Sequence, residues 1–317
     1  MRKHKDEKNM LWSPKLHSIV KDKLIQSTLH ETGYLIGGNI GRENISALLS
    51  LYSQLHDFKT NEGGMFYSLY SNDIDYRKKV HTQIEAILKP VYETLFTDYK
   101  SVINSFIVKI AGPKSDFSLH QDSTGLDENK YSPLSAWIPL QDTDLHNGTI
   151  CFVPKTHAFF YPYRGISFKA PFAEYENELK KYLVPVNLKA GDILLFDNRL
   201  VHYSHINFSE TPRIVVMSGL FPSEAEIVSV YKDPIPQNSP LEIYKQSEDF
   251  LVTNTAFYNN CTERPYRGEK ILEIEAPKES KTKADFIAWA AAEGLKPTNI
   301  SQLVEAQFTM NIVSEPV

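Results

Sequence analysis

Between residues 101 and 222 the chain breaks into short apolar runs that suit only a layered β core. Ser101–Ile110, Phe117–Asp122, Leu134–Leu140, Thr149–Val153, Leu183–Leu188, Ile193–Phe196 and Ile214–Leu220 are rich in β-branched, aromatic or alternating apolar residues. Clusters of Gly, Pro, Asn and Asp separate them, as turns between strands require. Many short strands must bury their faces against each other, which leads to a sandwich or jelly roll. The interval Phe159–Tyr182 interrupts the pattern, as a surface excursion or as a cover over a site.

Before this region the periodicity is helical. Ser13-Pro14 reads as an N-cap with Pro at the first helical position, and apolar residues recur from Leu16 to about His30. Gly33–Gly38 reads as a short strand, Asn44–Asp57 as a helix, and Asp73–Tyr99 as a longer helix kinked at Pro90. Between the last two, Asn61–Asp73 mixes polar and aromatic residues and reads as a loop. Beyond Pro222 the core strand pattern stops. A surface wrap is expected, then a small helix over 283–293 with Gly294 as its C-cap and another short helix from Asn299.

We therefore expect a mainly β protein with flanking helices, organised as one domain over 1–317. Residues 1–100 give helical support, 101–222 the jelly-roll core with its insertion at 159–182, and 223–317 a C-terminal extension that is a candidate substrate cover.

A formal charge of −5 argues against nucleic acid or an anionic membrane as partner, and 42% hydrophobic residues supply a sizeable core. Two cysteines, Cys151 and Cys261, make no disulfide framework and point to a reducing, cytoplasmic setting. Cys151 falls in an apolar run and is expected in the core. The charged start of the chain lacks the apolar stretch of a signal peptide, and no run approaches the ~20 residues needed to span a bilayer.

His120 and Asp122 lie two residues apart in a strand-like run, so their side chains share one face, about 7 Å apart at Cα. A third ligand is offered downstream by His202, with His205 as its rival; His202 is preferred because His205, three residues along, faces away if the strand continues. His146 and His157 suit turn or structural roles. Two imidazoles and a carboxylate with open positions form the facial triad of non-haem Fe(II) oxygenases. Arg213, eleven residues after His202, offers the planar fork that grips a carboxylate such as that of a keto acid.

Taken together, these residues resemble the phytanoyl-CoA dioxygenase family of Fe(II)- and 2-oxoglutarate-dependent oxygenases. The matching pieces are His120-Gln121-Asp122; Trp137 in Leu134–Leu140; Asn147-Gly148 through Val153-Pro154-Lys155-Thr156-His157; Gly191-Asp192; and His202-Tyr203-Ser204 with Asn207, Ser209 and Arg213. They run over roughly 30–222. Lys155 departs from the family, which usually has Gly there.

The resemblance implies a double-stranded β-helix (cupin-like jelly roll). It implies Fe(II), 2-oxoglutarate and O2 as cofactors, with His120, Asp122 and His202 as iron ligands. Arg213 and Ser204 are then expected to hold the 2-oxoglutarate carboxylate, Trp137 to line its pocket and Lys109 to touch its C1 end. Segments at the place of Asn61–Asp73 reach over the metal in the family, so this stretch is a candidate lid or substrate wall, and Tyr67, Arg264 and Arg267 are candidates for substrate contact. The implied reaction oxidises an unactivated C–H bond of a small carboxylated metabolite, such as an amino-acid derivative or an intermediate of natural-product biosynthesis. The outcome is hydroxylation, cyclisation or desaturation, with succinate and CO2 released. Asp122 disfavours halogenation, which needs a small residue at that position. The alternatives are a non-catalytic sensor or a cupin-type iron enzyme without 2-oxoglutarate. A monomer or homodimer acting on a small molecule is expected.

Overall fold

The structure, a computed structural model, describes residues 18–56, 64–160, 163–233, 235–236, 239–254, 268–275, 281–300 and 302–304. Two antiparallel sheets form its centre. The larger has the order β1(Tyr34–Asn39)-β8(Asp192–Asp197)-β5(Leu134–Pro139)-β10(Arg213–Pro222)-β3(Tyr99–Lys109)-β2(Met65–Tyr67), and the smaller β4(Phe117–His120)-β9(His202–Ser204)-β6(Ile150–Phe152)-β7(Val184–Pro185). From β3 to β10 the chain passes back and forth between the sheets, which makes a jelly roll, the double-stranded β-helix.

Strand alternation explains why both faces of the larger sheet are apolar. Ile107, Trp137, Leu194, Phe196 and Val215 point inward and pack with Ile150, Phe152 and Leu200 of the facing layer. Their strand neighbours Phe106, Val108, Ala136, Ile138, Leu195 and Val216 point outward. There they meet Leu48, Leu51 and Tyr52 of α2(Gly41–Leu55) and Val80, Ile84, Leu88 and Tyr92 of α3(Ile74–Leu95). The helices thus brace one face of the β core. Each fully buried Leu or Ile side chain is worth about 1.5–3 kcal/mol, so this contact fixes the sheet from behind.

The helix boundaries differ from expectation. The first described helix, α1(Lys23–Thr32), starts where the Asp22 carboxylate caps the N–H groups of Leu24 and Ile25; Ile19 and Val20 precede it, and Val20 makes a bridge with Phe96. Ser13-Pro14 lies outside the described residues. Pro90 sits inside α3 without ending it.

Two segments read as irregular are strands. Met65–Tyr67 pairs with β3 at the edge of the larger sheet instead of forming a loop; Asn61–Gly63 lie outside the described residues. Past Pro222 the chain builds a third sheet, β11(Val228–Lys232)-β12(Leu241–Lys245)-β13(Glu269–Ile274), where a surface wrap was expected. Helix Lys283–Ala292 carries a capping box at Thr282 and Asp285, and Gly294 follows in the left-handed region. Its Phe286 and Ala290 pack with Phe160, Phe172, Tyr175 and Leu179 of the insertion. No helix among the described residues is long and apolar enough to cross a membrane.

Candidate metal centre

His120 and His202 are cross-strand partners on β4 and β9, with ring centroids 4.0 Å apart. The strand containing His120 ends there, two residues earlier than expected. The N–H of Asp122 bonds to the Asn198 carbonyl (3.1 Å), and the Gln121 amide to the Arg199 carbonyl, rather than to a sheet neighbour. Asp122 thus reaches the site from a loop pinned to the residues just before His202. Its Oδ1 lies 4.0 Å from His120 Nε2 and 3.8 Å from His202 Nε2. One ligand atom from each of the three side chains falls within 4.8 Å of the others.

The imidazoles are oriented as ligands. His120 Nδ1 is 2.8 Å from the Ser118 carbonyl and His202 Nδ1 is 2.9 Å from the Leu200 carbonyl. A carbonyl only accepts, so each Nδ1 carries the hydrogen and each Nε2 presents its lone pair to Asp122. Burial, and then the neighbouring His202, push His120 down to about 3; burial, above all, pushes His202 down to about 4. Burial raises Asp122 while His120 and Arg164 oppose the shift. Two neutral imidazoles and a carboxylate are a donor set suited to a divalent first-row metal ion.

Arg213 enters from β10. It is 2% exposed, donates through Nη1 to the Gly148 carbonyl, and places its guanidinium 5.1 Å from the Trp137 ring centroid. Its Nε has no hydrogen-bond partner, and among the described residues no carboxylate pairs with it. A buried guanidinium in that state is a binding site for an anion with paired oxygens. Gly148 makes this arrangement possible: φ is +75°, and an added Cβ would lie 2.5 Å from the His205 carbonyl oxygen. Ser204, Trp137 and Tyr67 line the same cavity of about 450 Å³, a volume ordinary for small-molecule sites. The Tyr67 ring stacks on Tyr70 at 4.7 Å, and its hydroxyl lies within the fields of Arg213 and Asp122.

Other candidates fall elsewhere. The Lys109 ammonium does not line the cavity, as expected of a cosubstrate contact, because it donates to the carbonyls of Ser115 (2.6 Å), Ser204 (3.0 Å) and His205 (2.6 Å). Those bonds tie the end of β9 to the segment before β4. His205 stands outside the ligand group, its ring stacked on Phe208 at 5.2 Å. His157 faces the His30 carbonyl (3.1 Å), His146 lies in the turn begun by Asp144, and Cys151 is buried in β6. Lys155 adopts φ +65°, the region where glycine is at ease. Arg264, Arg267 and Cys261 lie outside the described residues.

Sequence reasoning missed Arg164. From the insertion, its Nε donates to the Asp122 carbonyl (2.7 Å), and Nη1 and Nη2 grip Glu128 at 2.7 and 2.5 Å. Arg164–Ile166 and Phe168–Pro171 line the cavity, so the insertion forms one of its walls. No periodicity links two charges 36 positions apart.

A family model described as "Phytanoyl-CoA dioxygenase (PhyH)" matches residues 46–215. The phytanoyl-CoA dioxygenase of Arabidopsis thaliana is 30% identical over 114 residues, 34% of this chain and 39% of that protein. A phytanoyl-CoA dioxygenase domain-containing protein 1 homolog of Dictyostelium discoideum is 27% identical over 150 residues, 44% of this chain and 50% of that protein. The matched stretch thus spans half or less of these relatives' length. Among solved structures, HygX from Streptomyces hygroscopicus with nickel, 2-oxoglutarate and hygromycin B bound superposes with a TM-score of 0.45 at 16% identity, covering 64% of this chain and 88% of that one. The epimerase SnoN from nogalamycin biosynthesis gives 0.47 at 16%, covering 78% and 93%.

Proposed function

The chain belongs to the phytanoyl-CoA dioxygenase family, and from that premise we propose that it is an Fe(II)- and 2-oxoglutarate-dependent oxygenase acting on a C–H bond of a small molecule. The observation that carries this reading is the pairing, in one cavity, of the His120–Asp122–His202 group with a buried Arg213 that has no carboxylate partner among the described residues. A sensor would not need the second feature, and neither would an iron enzyme working without a keto acid.

When bound, Fe(II) with 2-oxoglutarate and O2 supplies the oxidising power for C–H cleavage, releasing succinate and CO2. The residues of this chain do the rest. His120 Nε2, His202 Nε2 and the Asp122 carboxylate hold the ion from one side. Arg213 takes the far carboxylate of 2-oxoglutarate, with the Ser204 hydroxyl beside it and the Trp137 ring as a flat wall. Holding a dianion by a fork and a ring fixes its orientation before the reaction. Tyr67, Phe117 and the insertion surround the centre and keep water from it.

The substrate we favour is a small carboxylated metabolite, hydroxylated or closed into a ring. Exposed Lys169, on the cavity rim, offers its acid group a partner. The whole chain then acts as one oxygenase unit, with Val228 and Leu251 of the C-terminal extension facing the substrate.

Anaerobic titration with Fe(II) and then 2-oxoglutarate tests the assignment. The weak visible charge-transfer band of chelation is expected in the native protein and in His205→Ala, and absent in His202→Ala. A folded, iron-loaded protein without the band would remove 2-oxoglutarate from the account.

A further inference from the structure

The cavity does not end at the metal-binding side chains. Past Asp122 the segment 123–125 runs along its wall, and the Val228 N–H donates to the Gly125 carbonyl (2.9 Å), so the C-terminal sheet closes the far side. Extended backbone advances at most about 3.4 Å per residue, so Gly125 lies up to roughly 10 Å beyond Asp122. The lining in this direction is uncharged and largely apolar, from Leu69, Ile103, Gly219, Phe221, Val228 and Leu251; Ser123, Thr124 and Ser135, the cross-strand partner of Gly219, add hydroxyls, and that of Ser135 is donated to Asn198 (2.9 Å). The nearest charged side chain on this wall, Arg164, spends its guanidinium on Glu128 and the Asp122 carbonyl.

One position governs the width of this arm. Residues 213, 215, 217, 219 and 221 of β10 share its inward face. Val215 packs between the sheets, while Arg213, Met217, Gly219 and Phe221 line the cavity. Gly219 alone among them has no side chain. Its φ is not positive, so the backbone does not demand glycine. What it provides is space: an added Cβ would stand 2.9 Å from Ile103 Cγ2 and 3.2 Å from Val102 Cγ2, both on cavity-lining residues of β3. Any side chain at 219 must enter the lumen or drive Ile103 into it.

We propose that Gly219 is a specificity-determining position, holding open an apolar arm that receives an uncharged, hydrocarbon-rich part of the substrate. The inference rests on the reading of this cavity as an oxygenase substrate site and adds the chemistry of the portion remote from the carboxylate.

The test is calorimetric titration of the full chain with n-alkanols of increasing length, from butanol to decanol. Burying a methylene strengthens binding roughly fourfold, so affinity should climb by that factor per carbon and level off once the arm is full. In Gly219→Val the plateau should come at a shorter chain and octanol should bind at least tenfold more weakly, with Gly219→Ala between. If the valine variant does not fold, Leu251→Gln decides, because it makes the opposite wall polar; a tenfold loss for octanol is expected. A flat dependence on chain length in the native protein overturns the proposal, as does a native profile in the folded Gly219 variants or in Leu251→Gln. Failure of alkanol binding with the iron–2-oxoglutarate band present removes the arm alone. Alkanol binding without the band removes the oxygenase reading and leaves the apolar arm standing.

Discussion

Glu128→Gln should destabilise the protein far more than a change of one charge suggests. Glu128 is 3% exposed and Arg164 5%, and two short hydrogen bonds join them. Removing one partner of such a pair strands the other charge and costs about 3–5 kcal/mol. The glutamine carbonyl still accepts one bond from Arg164, worth about 1 kcal/mol, so a loss of about 3 kcal/mol is expected. For a chain of this size a urea m value of about 3 kcal/mol/M is reasonable, which moves the unfolding midpoint down by roughly 1 M. Glu93→Gln is the control. Its pair with Lys89 is exposed on both sides, and such pairs contribute under ~1 kcal/mol. A second readout follows from geometry: Arg164 Nε holds the Asp122 carbonyl, so Ni(II) affinity should fall about 10–100-fold, as when the groups that orient metal ligands are lost. Replacing both partners by apolar residues, Glu128→Leu with Arg164→Met, should recover much of the stability but not the metal affinity. A Glu128→Gln midpoint within about 0.3 M of native, with unchanged Ni(II) affinity, would refute the reasoning.

Three further outcomes are expected. With His120 and His202 pushed to about 3 and about 4, protons should not compete for the two imidazoles, so from about pH 8 to about pH 5 Ni(II) affinity measured by calorimetry should lose at most the one proton's worth, about tenfold per unit, that Asp122, raised by burial, can take up; a loss of about a hundredfold per unit starting near 6.5 would contradict this. The sign for stability is the reverse of a protonated-histidine clamp: the unfolded chain takes up protons below about 6.5 that the folded one refuses, so the metal-free protein should weaken as pH falls from there toward 4. Gly148→Ala meets both a positive φ and the His205 carbonyl, and should cost at least ~1–2 kcal/mol; 2-oxoglutarate binding should suffer more than metal binding, because Gly148 supplies the acceptor for Arg213. Lys155→Gly relieves φ +65° at the expense of a partly exposed ion pair with Glu293, and should leave Tm unchanged or raise it by a few degrees.

The jelly-roll strands were legible because each must place apolar residues on at least one face, and 101–222 punctuates them with turn formers. His120, Asp122 and His202 were legible as a ligand group, but the cross-strand pairing of the two histidines was not, and Asp122 reaches the site through a loop whose hydrogen bonds no local pattern announces. The third sheet escaped notice for a physical reason. All but one residue of β13 are exposed, so no buried face imposes alternation, and β11 and β12 are short and carry charges. Lys109 illustrates a different limit. Alternation along β3 turns it inward, but only tertiary structure reveals three carbonyls, from the end of β9 and the segment before β4, closing on its ammonium. Tyr67 was legible as a wall residue through the family resemblance, yet not as part of an edge strand.

Lys109 and Arg213 are also direct partners on one rung of the β3–β10 ladder. Two basic side chains are thus buried side by side behind the cavity, and burial together with Arg213 pushes Lys109 down to about 6. Backbone carbonyls, the Trp137 ring and the field of Asp116 moderate that repulsion. A dicarboxylate accepted by Arg213 would neutralise the charge the fold is built around, and would act as part of the folding reaction as well as of the chemistry. By mass action, a ligand at a hundred times its dissociation constant adds about 2.7 kcal/mol of stability. The supply of a central-metabolism keto acid would then set how long this protein survives as well as how fast it turns over.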